Sequence, residues 1–271
     1  MNEKLIQFLK NKVKWIREET LKIHKIAPDT RIASCLSDIE IFAVLYYGKL
    51  LKFNPKNPKW DNRDRFIVSK GHGGVSLYPV LADLGYFGKN ELNNVCRNGS
   101  RFGSIPDSMV EGFETINGSL GQGLGVGCGM ALGLKRKKSK SYVFVLVGDG
   151  ELYEGSNWEA IMFAAHHQLD NLILIVDNNK IAMLDYCKNI INLKPLENKF
   201  KAFNWKAKVV NGHHVEKVYH ALNEFKKDKG GRPKVLIADT KKGKGVPGLE
   251  NNSLCHVMSL KPEEVDRLVA K

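Results

Sequence analysis

Tyr142-Val143-Phe144-Val145-Leu146-Val147-Gly148-Asp149-Gly150 and, further along, Leu172-Ile173-Leu174-Ile175-Val176-Asp177-Asn178-Asn179 are the two stretches on which the fold turns. Each opens with an unbroken apolar run rich in β-branched residues. Such a run suits a strand covered on both faces, and strands of that kind belong to buried parallel sheets. Residues 157–169 between them have helical character, which makes a βαβ unit. A third run, Val235-Leu236-Ile237-Ala238, follows another helical stretch over 215–225. The expected class is α/β, a doubly wound, mainly parallel sheet flanked by helices.

Upstream of this unit, Leu5, Ile6, Leu9, Val13, Ile16 and Ile23 recur at helical spacing, and a second helix is expected over 37–51. Residues 54–62, rich in Pro and Asn, read as a surface loop leading to Phe66-Ile67-Val68 and the turn Gly71-His72-Gly73-Gly74. Between 118 and 133, glycines and small residues interrupt an otherwise helical chain, which lets a backbone or ligand approach closely. No repeat or long linker is visible. The expected organisation is one domain over 1–271 with a helical arm over about 1–52.

Composition narrows the function. Apolar residues make up 43% and charged residues 26% of the 271, ordinary globular values. No stretch approaches the roughly 18 apolar residues of a membrane span. The N-terminus carries charges every few positions, unlike a secretory signal. Five cysteines without a Cys-x-x-Cys pair argue against a zinc knuckle or disulfide framework and for a cytoplasmic location. The net charge of +13 raises nucleic acid as a partner, but the lysines are scattered from end to end, with clusters only at Arg136 to Lys138 and Lys241 to Lys244. Anionic small molecules or an acidic partner chain fit that distribution better.

In doubly wound sheets, ligands sit beyond the carboxyl ends of the strands. Here the first strand ends in Gly148-Asp149-Gly150 and the second in Asp177-Asn178-Asn179. Glycines on both sides of Asp149 leave room for a diphosphate to meet backbone amides at the start of the following helix. Two phosphates beside a carboxylate repel it unless a divalent cation lies between them. Mg²⁺ takes about six oxygens, only one or two of them from side chains, and Asn179 could add an amide oxygen and Ile181 a carbonyl. Taken singly, Gly-Asp-Gly is more simply a turn and Asn-Asn a helix cap. At the ends of consecutive parallel strands, the pair favours the metal reading. No Gly-x-Gly-x-x-Gly or Walker-type Gly-Lys-Ser/Thr occurs, so the dinucleotide and P-loop readings lack an anchor.

Gly148-Asp149-Gly150 followed by Asn178-Asn179 resembles the thiamine diphosphate motif. Three further segments resemble transketolases: Asn62-Arg63-Asp64-Arg65-Phe66-Ile67-Val68-Ser69-Lys70-Gly71-His72, then Gly118-Ser119-Leu120-Gly121-Gln122-Gly123-Leu124, then residues 148–160. Thr240-Lys241-Lys242-Gly243-Lys244-Gly245-Val246 followed by His256 completes the series, in order and over almost the whole chain. The resemblance implies that Asp149, Asn179 and the Ile181 carbonyl ligate Mg²⁺ or Ca²⁺. It implies that Gly118, Leu120 and Gly150 meet the cofactor, and that His72 and His256 flank the diphosphate and the reacting centre. Imidazole suits proton transfer near neutral pH. Glu154 and Glu159 match a family carboxylate relay at a dimer interface, though an acidic pair at a helix start is a natural alternative.

The resemblance covers the family's N-terminal half, so it implies a split enzyme. A separate subunit would bring the pyrimidine-type domain, the pair would assemble as a heterotetramer, and a two-carbon ketol or acyl unit would pass from a sugar or sugar-phosphate donor to an aldehyde acceptor. Two departures bear on the donor. Arg31, in Thr30-Arg31-Ile32-Ala33-Ser34, and Ile105, in Gly103-Ser104-Ile105-Pro106-Asp107, stand where the family has donor-binding histidines. Loss of hydrogen bonds to a sugar hydroxyl discriminates strongly between substrates, which implies a donor other than the usual ketose phosphate, with Arg31 available for a phosphate or carboxylate. Two other readings share the metal motif: the α chain of a 2-oxo acid dehydrogenase or decarboxylase, and a non-catalytic cofactor-binding regulatory subunit. The Ser-Lys-Gly-His and Gly-Ser-Leu-Gly-Gln-Gly segments favour the transketolase reading over the first. The intact Asp149 and Asn179 argue against the second.

Overall fold

In the computed structural model, which describes residues 2–270, the chain opens with α1 (Glu3–Ile26). Asn2 caps this helix, its side-chain oxygen accepting from the Leu5 amide at 2.9 Å, and Leu9, Val13 and Ile16 form its buried stripe. Next come α2 (Ile32–Cys35), α3 (Ile39–Tyr46), β1 (Arg65–Val68), α4 (Leu77–Leu84), α5 (Gly123–Arg136), β2 (Val143–Gly148), α6 (Gly155–His166) and β3 (Leu172–Asn178). The second half holds a small hairpin of β4 (Ile181–Ala182) and β5 (Asp185–Tyr186), the short helices α7 (Cys187–Ile190) and α8 (Leu196–Ala202), then β6 (Lys206–Asn211), α9 (Val215–Lys227), β7 (Lys234–Asp239) and α10 (Pro262–Val269).

Five strands form one parallel sheet in the order β1-β2-β3-β7-β6. Successive side chains of a strand point to opposite faces, and the core divides accordingly. Val143, Val145, Val147, Leu172, Leu174 and Val176 pack with residues of α5, α6 and α8, whereas Phe144, Leu146, Ile173 and Ile175 pack with residues of α1, α3, α4 and α9. The sheet is therefore covered on both faces, as the apolar runs predict. Its register sets up the site: Gly148 pairs with Asp177 and Asn178 with Asp239, so Asp149, Asn179 and Thr240 emerge side by side on one rim.

Two local expectations need correction, and one strand is an addition. The helix expected over 37–51 is shorter, Ile39–Tyr46, because the chain turns at Gly48 and Lys49, where φ reaches 57°. The chain after Asp149 is a single 3₁₀ turn, Gly150–Tyr153, before α6 starts at Gly155. β6 is not anticipated by the apolar pattern: Lys206 and Lys208 interrupt it, as befits an exposed sheet edge that lysines protect from pairing. Among the described residues no helix is long and apolar enough to cross a membrane.

His24, near the end of α1, ties the C-terminal segment down. Thr30 donates its hydroxyl to the Ala27 carbonyl, so His24 Nδ1 donates to Thr30 Oγ1 (2.8 Å) while Nε2 accepts from the Leu260 amide (3.1 Å). Burial lowers the His24 pKa to about 4. Between pH 6.5 and 4 the unfolded chain binds a proton that the folded chain refuses, so stability should fall as pH drops through that window. The expected loss from pH 7.5 to 4.5 is about 2–3 kcal/mol. Unfolding free energies from urea titrations should fall by that much less over this pH range in His24→Asn than in the wild type.

Candidate active site

The loops at the carboxyl ends of β1, β2, β3 and β7 meet around two adjoining cavities. One, of about 490 Å³, is lined by His72, Ile105, Gly118, Leu120, Glu154 and His256 among others. The other, of about 290 Å³, lies toward α7 and contains Tyr186, Cys187 and Thr240. Asp149, Asn179, Ile181 and Lys242 border both.

Asp149 is 6% exposed, and its carboxylate accepts from the amides of Gly150 (2.8 Å) and Lys180 (2.5 Å). No ion-pair partner reaches it among the described residues. Burial, reinforced by the charge of Asp177, raises its pKa to about 6. The Asn179 amide is oriented by chemistry, since the Asp177 carboxylate can only accept and therefore takes the Nδ2 end at 2.9 Å. Oδ1 is thereby turned to the other side, where it accepts from the Ile181 amide at 3.2 Å. The Ile181 carbonyl accepts from Lys242 Nζ at 3.0 Å.

Behind these groups lies a buried ionic network that sequence reasoning missed. Lys70 Nζ is 2.5 Å from Asp177 and 3.0 Å from Asp38, and it also donates to the Ser34 carbonyl at 3.1 Å. Ser37 (2.6 Å) and Thr240 donate hydroxyls to the same Asp177 carboxylate. Glu151, also missed, accepts from Gly121 (3.0 Å), Gly148 (3.1 Å) and the Ser69 hydroxyl, and so ties the 118–122 loop to the ends of β1 and β2. The only available signal was position, because Lys70, Glu151 and Asp177 each sit within or beside a motif that marks the site. Gly121 is glycine of necessity: φ is 87°, and a Cβ there would lie 2.6 Å from the Cβ of Glu154.

His72 and His256 stand edge to face at the cavity wall, their ring centroids 5.2 Å apart. Burial, followed by the charge of Lys242 and then Arg31, holds His256 at about 4; burial and Lys70 hold His72 well below the usual range. Both rings are neutral at neutral pH. Arg31 is exposed, unpaired among the described residues, and close enough to His256 for its charge to be felt. Ile105 is 40% exposed at the mouth, against Gly71. Gly118 faces open space in the cavity, but Gly150 is needed for packing as well, since a Cβ there would lie 2.7 Å from that of Ala182. Glu154 borders the cavity, whereas Glu159 points outward from α6 and does not.

This is an α/β domain with its site at the strand ends, the class the sheet defines. Comparison with known proteins narrows it: the family described as "Transketolase, thiamine diphosphate binding domain" matches residues 33–271. The chain is 37% identical over 273 residues to the 6-deoxy-6-sulfo-D-fructose transketolase subunit of Clostridium sp. (strain MSTE9), covering 100% of this chain and 98% of that protein. It is 36% identical over 260 residues to an apulose-4-phosphate transketolase subunit of Actinobacillus succinogenes, covering 95% and 93%. The crystal structure of transketolase from Campylobacter jejuni superposes with a TM-score of 0.88 at 30% identity, over 100% of this chain and 43% of that one. The chain belongs to the transketolase family of thiamine diphosphate-dependent transferases, of which it forms the N-terminal, cofactor-binding part.

The donor set fits a hard divalent ion. It comprises a buried carboxylate with no ion-pair partner among the described residues, an amide oxygen turned away from Asp177 and a backbone carbonyl. No cluster of three or more His, Cys, Asp or Glu side chains suited to a metal exists among the described residues. An ion held here would therefore draw its remaining ligands from phosphate and water, as Mg²⁺ does.

Proposed function

We propose that this chain is the diphosphate- and metal-holding subunit of a two-chain transketolase-type enzyme that moves a two-carbon unit from an anionic, non-standard sugar donor to an aldehyde acceptor. The observation that carries the reading is the set of Asp149, Asn179 Oδ1 and the Ile181 carbonyl at the rim of the sheet, beside the larger cavity. Thiamine diphosphate, when bound, supplies the nucleophilic carbon that accepts the two-carbon unit. The chain's own groups position it: Asp149, Asn179 and Ile181 hold the ion, Gly118, Leu120 and Gly150 line the approach to the diphosphate, and His72 and His256 present neutral nitrogens toward the reacting end. A neutral imidazole can take or return a proton there without first losing one to solvent. Glu154, at the cavity edge, is a candidate contact to a neighbouring chain, and Glu159 on the outer face of α6 is another.

The partner chain is part of the same reading. Met183 (62% exposed) and Ile190 (46%) line the cavity with Ile105, an apolar rim suited to cover by another protein surface. Two relatives that match nearly end to end are named as subunits. A heterotetramer is the expected assembly, measurable by light scattering of the co-expressed pair. Five free thiols suit the reducing cytoplasm.

Arg31 and Ile105 set the donor. The two relatives are named for a sulfonated and a phosphorylated sugar, and an unpaired guanidinium beside His256 could grip such a group. The test is transfer by the purified pair, with thiamine diphosphate and Mg²⁺, from sulfonated, phosphorylated and neutral ketoses. Transfer from anionic, non-standard donors is expected. Robust use of xylulose 5-phosphate, or turnover of a 2-oxo acid alone, would contradict the reading. Arg31→Ala should raise the KM for the anionic donor by about tenfold or more, the worth of one charge-assisted contact, and leave cofactor affinity unchanged.

A further inference from the structure

Lys242 is unexplained by the site as described. It is 3% exposed, and among the described residues its ammonium makes one hydrogen bond, to the Ile181 carbonyl at 3.0 Å, and no ion pair. An ammonium has three N–H donors and a full charge; here burial and then the charge of Lys70 draw the Lys242 pKa down, and Asp149 and Asp177 act on it without reaching ion-pair distance, so it is poorly compensated. Its backbone is fixed on both sides. Thr240 is bound to Asp177, the Lys241 amide donates to His213 Nε2 at 2.8 Å, and the Gly243 amide donates to the Ala33 carbonyl at 2.9 Å. Its side chain borders both cavities beside Asp149 and Asn179.

The acceptor that Lys242 occupies is one of the three oxygens assigned to the ion. A divalent cation using that oxygen would stand next to a buried ammonium, and like charges in a low-dielectric pocket repel strongly. We propose that Lys242 guards the Ile181 carbonyl: its ammonium holds that oxygen until a diphosphate offers the ammonium an anionic partner, and only then is the oxygen released to the ion. This inference rests on the reading of Asp149, Asn179 and Ile181 as the ion's protein ligands. It makes the loading of ion and diphosphate interdependent through a residue of the chain, beyond the direct bonds between phosphate and metal.

Mn²⁺ alone, followed by the electron spin resonance of the free ion and added to the full chain without cofactor, separates the possibilities. Lys242→Met should bind Mn²⁺ about tenfold tighter than the wild type, because the oxygen is freed and the charge is gone. Lys242→Gln keeps a donor for the carbonyl without the charge, and should fall between the two. Inorganic pyrophosphate should tighten Mn²⁺ binding more in the wild type than in Lys242→Met. The guard is refuted if Lys242→Met binds Mn²⁺ no better than the wild type, or if the Met and Gln variants bind it equally, which would reduce the effect to charge. Retention of Mn²⁺ by the double variant Lys242→Met/Asp149→Ala would refute instead the placement of the ion.

Discussion

Lys70→Met should cost the fold about 3–5 kcal/mol, the usual penalty for removing one partner of a buried ion pair. Lys70 is 1% exposed, and among the described residues its ammonium is the one cation within ion-pair distance of Asp38 and Asp177, both fully buried. Burial draws the Lys70 pKa down, but Asp177 and Asp38 outweigh it and raise it, so the lysine is charged. Burial likewise pushes Asp177 up, yet Lys70 and three side-chain donors hold it below the usual carboxylate range. Asp38 receives the smaller share and is pushed up. Methionine matches the length of the stem but leaves Asp177 ionised with no counter-charge. The melting temperature should drop by about 10 °C, as expected for a chain of this size. The double variant Lys70→Met/Asp177→Asn should recover part of the loss, since the orphaned charge is then gone. A single variant as stable as the wild type would show that the network contributes nothing net.

This network also explains why the site was only partly legible in the sequence. Strands β2, β3 and β7 announce themselves because both their faces are buried, so the apolar runs are unbroken. β6 is an edge strand in which Lys206 and Lys208 alternate with Ala207 and an exposed Val209, and its pairing to β7 depends on a partner that only tertiary structure supplies. Asp149 and Asn179 could be found because strand ends in such sheets are a known address for ligands. Lys70, Asp177 and Lys242 stand within the same motifs, but their roles were not legible, since these follow from bringing together loops that lie far apart in the chain. The motif match assigned Glu154 and Glu159 alike to a carboxylate relay at a dimer interface, and the sequence did not show which of them also borders the cavity. Glu154 precedes α6 at the cavity edge, while Glu159, about 140° around the helix axis from it, is exposed on the same side as Met162 and Phe163.

Asp149→Ala should separate cofactor binding from folding more sharply than any other change. If the carboxylate is the sole anionic protein ligand of the ion, calorimetry should show thiamine diphosphate with Mg²⁺ binding at least about 100-fold more weakly, a loss of about 3 kcal/mol. The fold should barely register the change. Two amides, of Gly150 and Lys180, lose their acceptor, which costs about 1 kcal/mol each. Against that, burial and the neighbouring Asp177 charge raise the pKa of Asp149 to about 6, so the folded chain holds this carboxylate in an unfavourable setting, and its removal relieves that burden by a similar amount. The unliganded melting temperature should therefore stay within a few degrees of the wild type. A residue kept for stability would show the opposite pattern, a large drop in melting temperature with cofactor affinity reduced only as far as unfolding reduces it. The pairing of an intact fold with a lost ligand is the signature that an ion bridges Asp149 to a diphosphate.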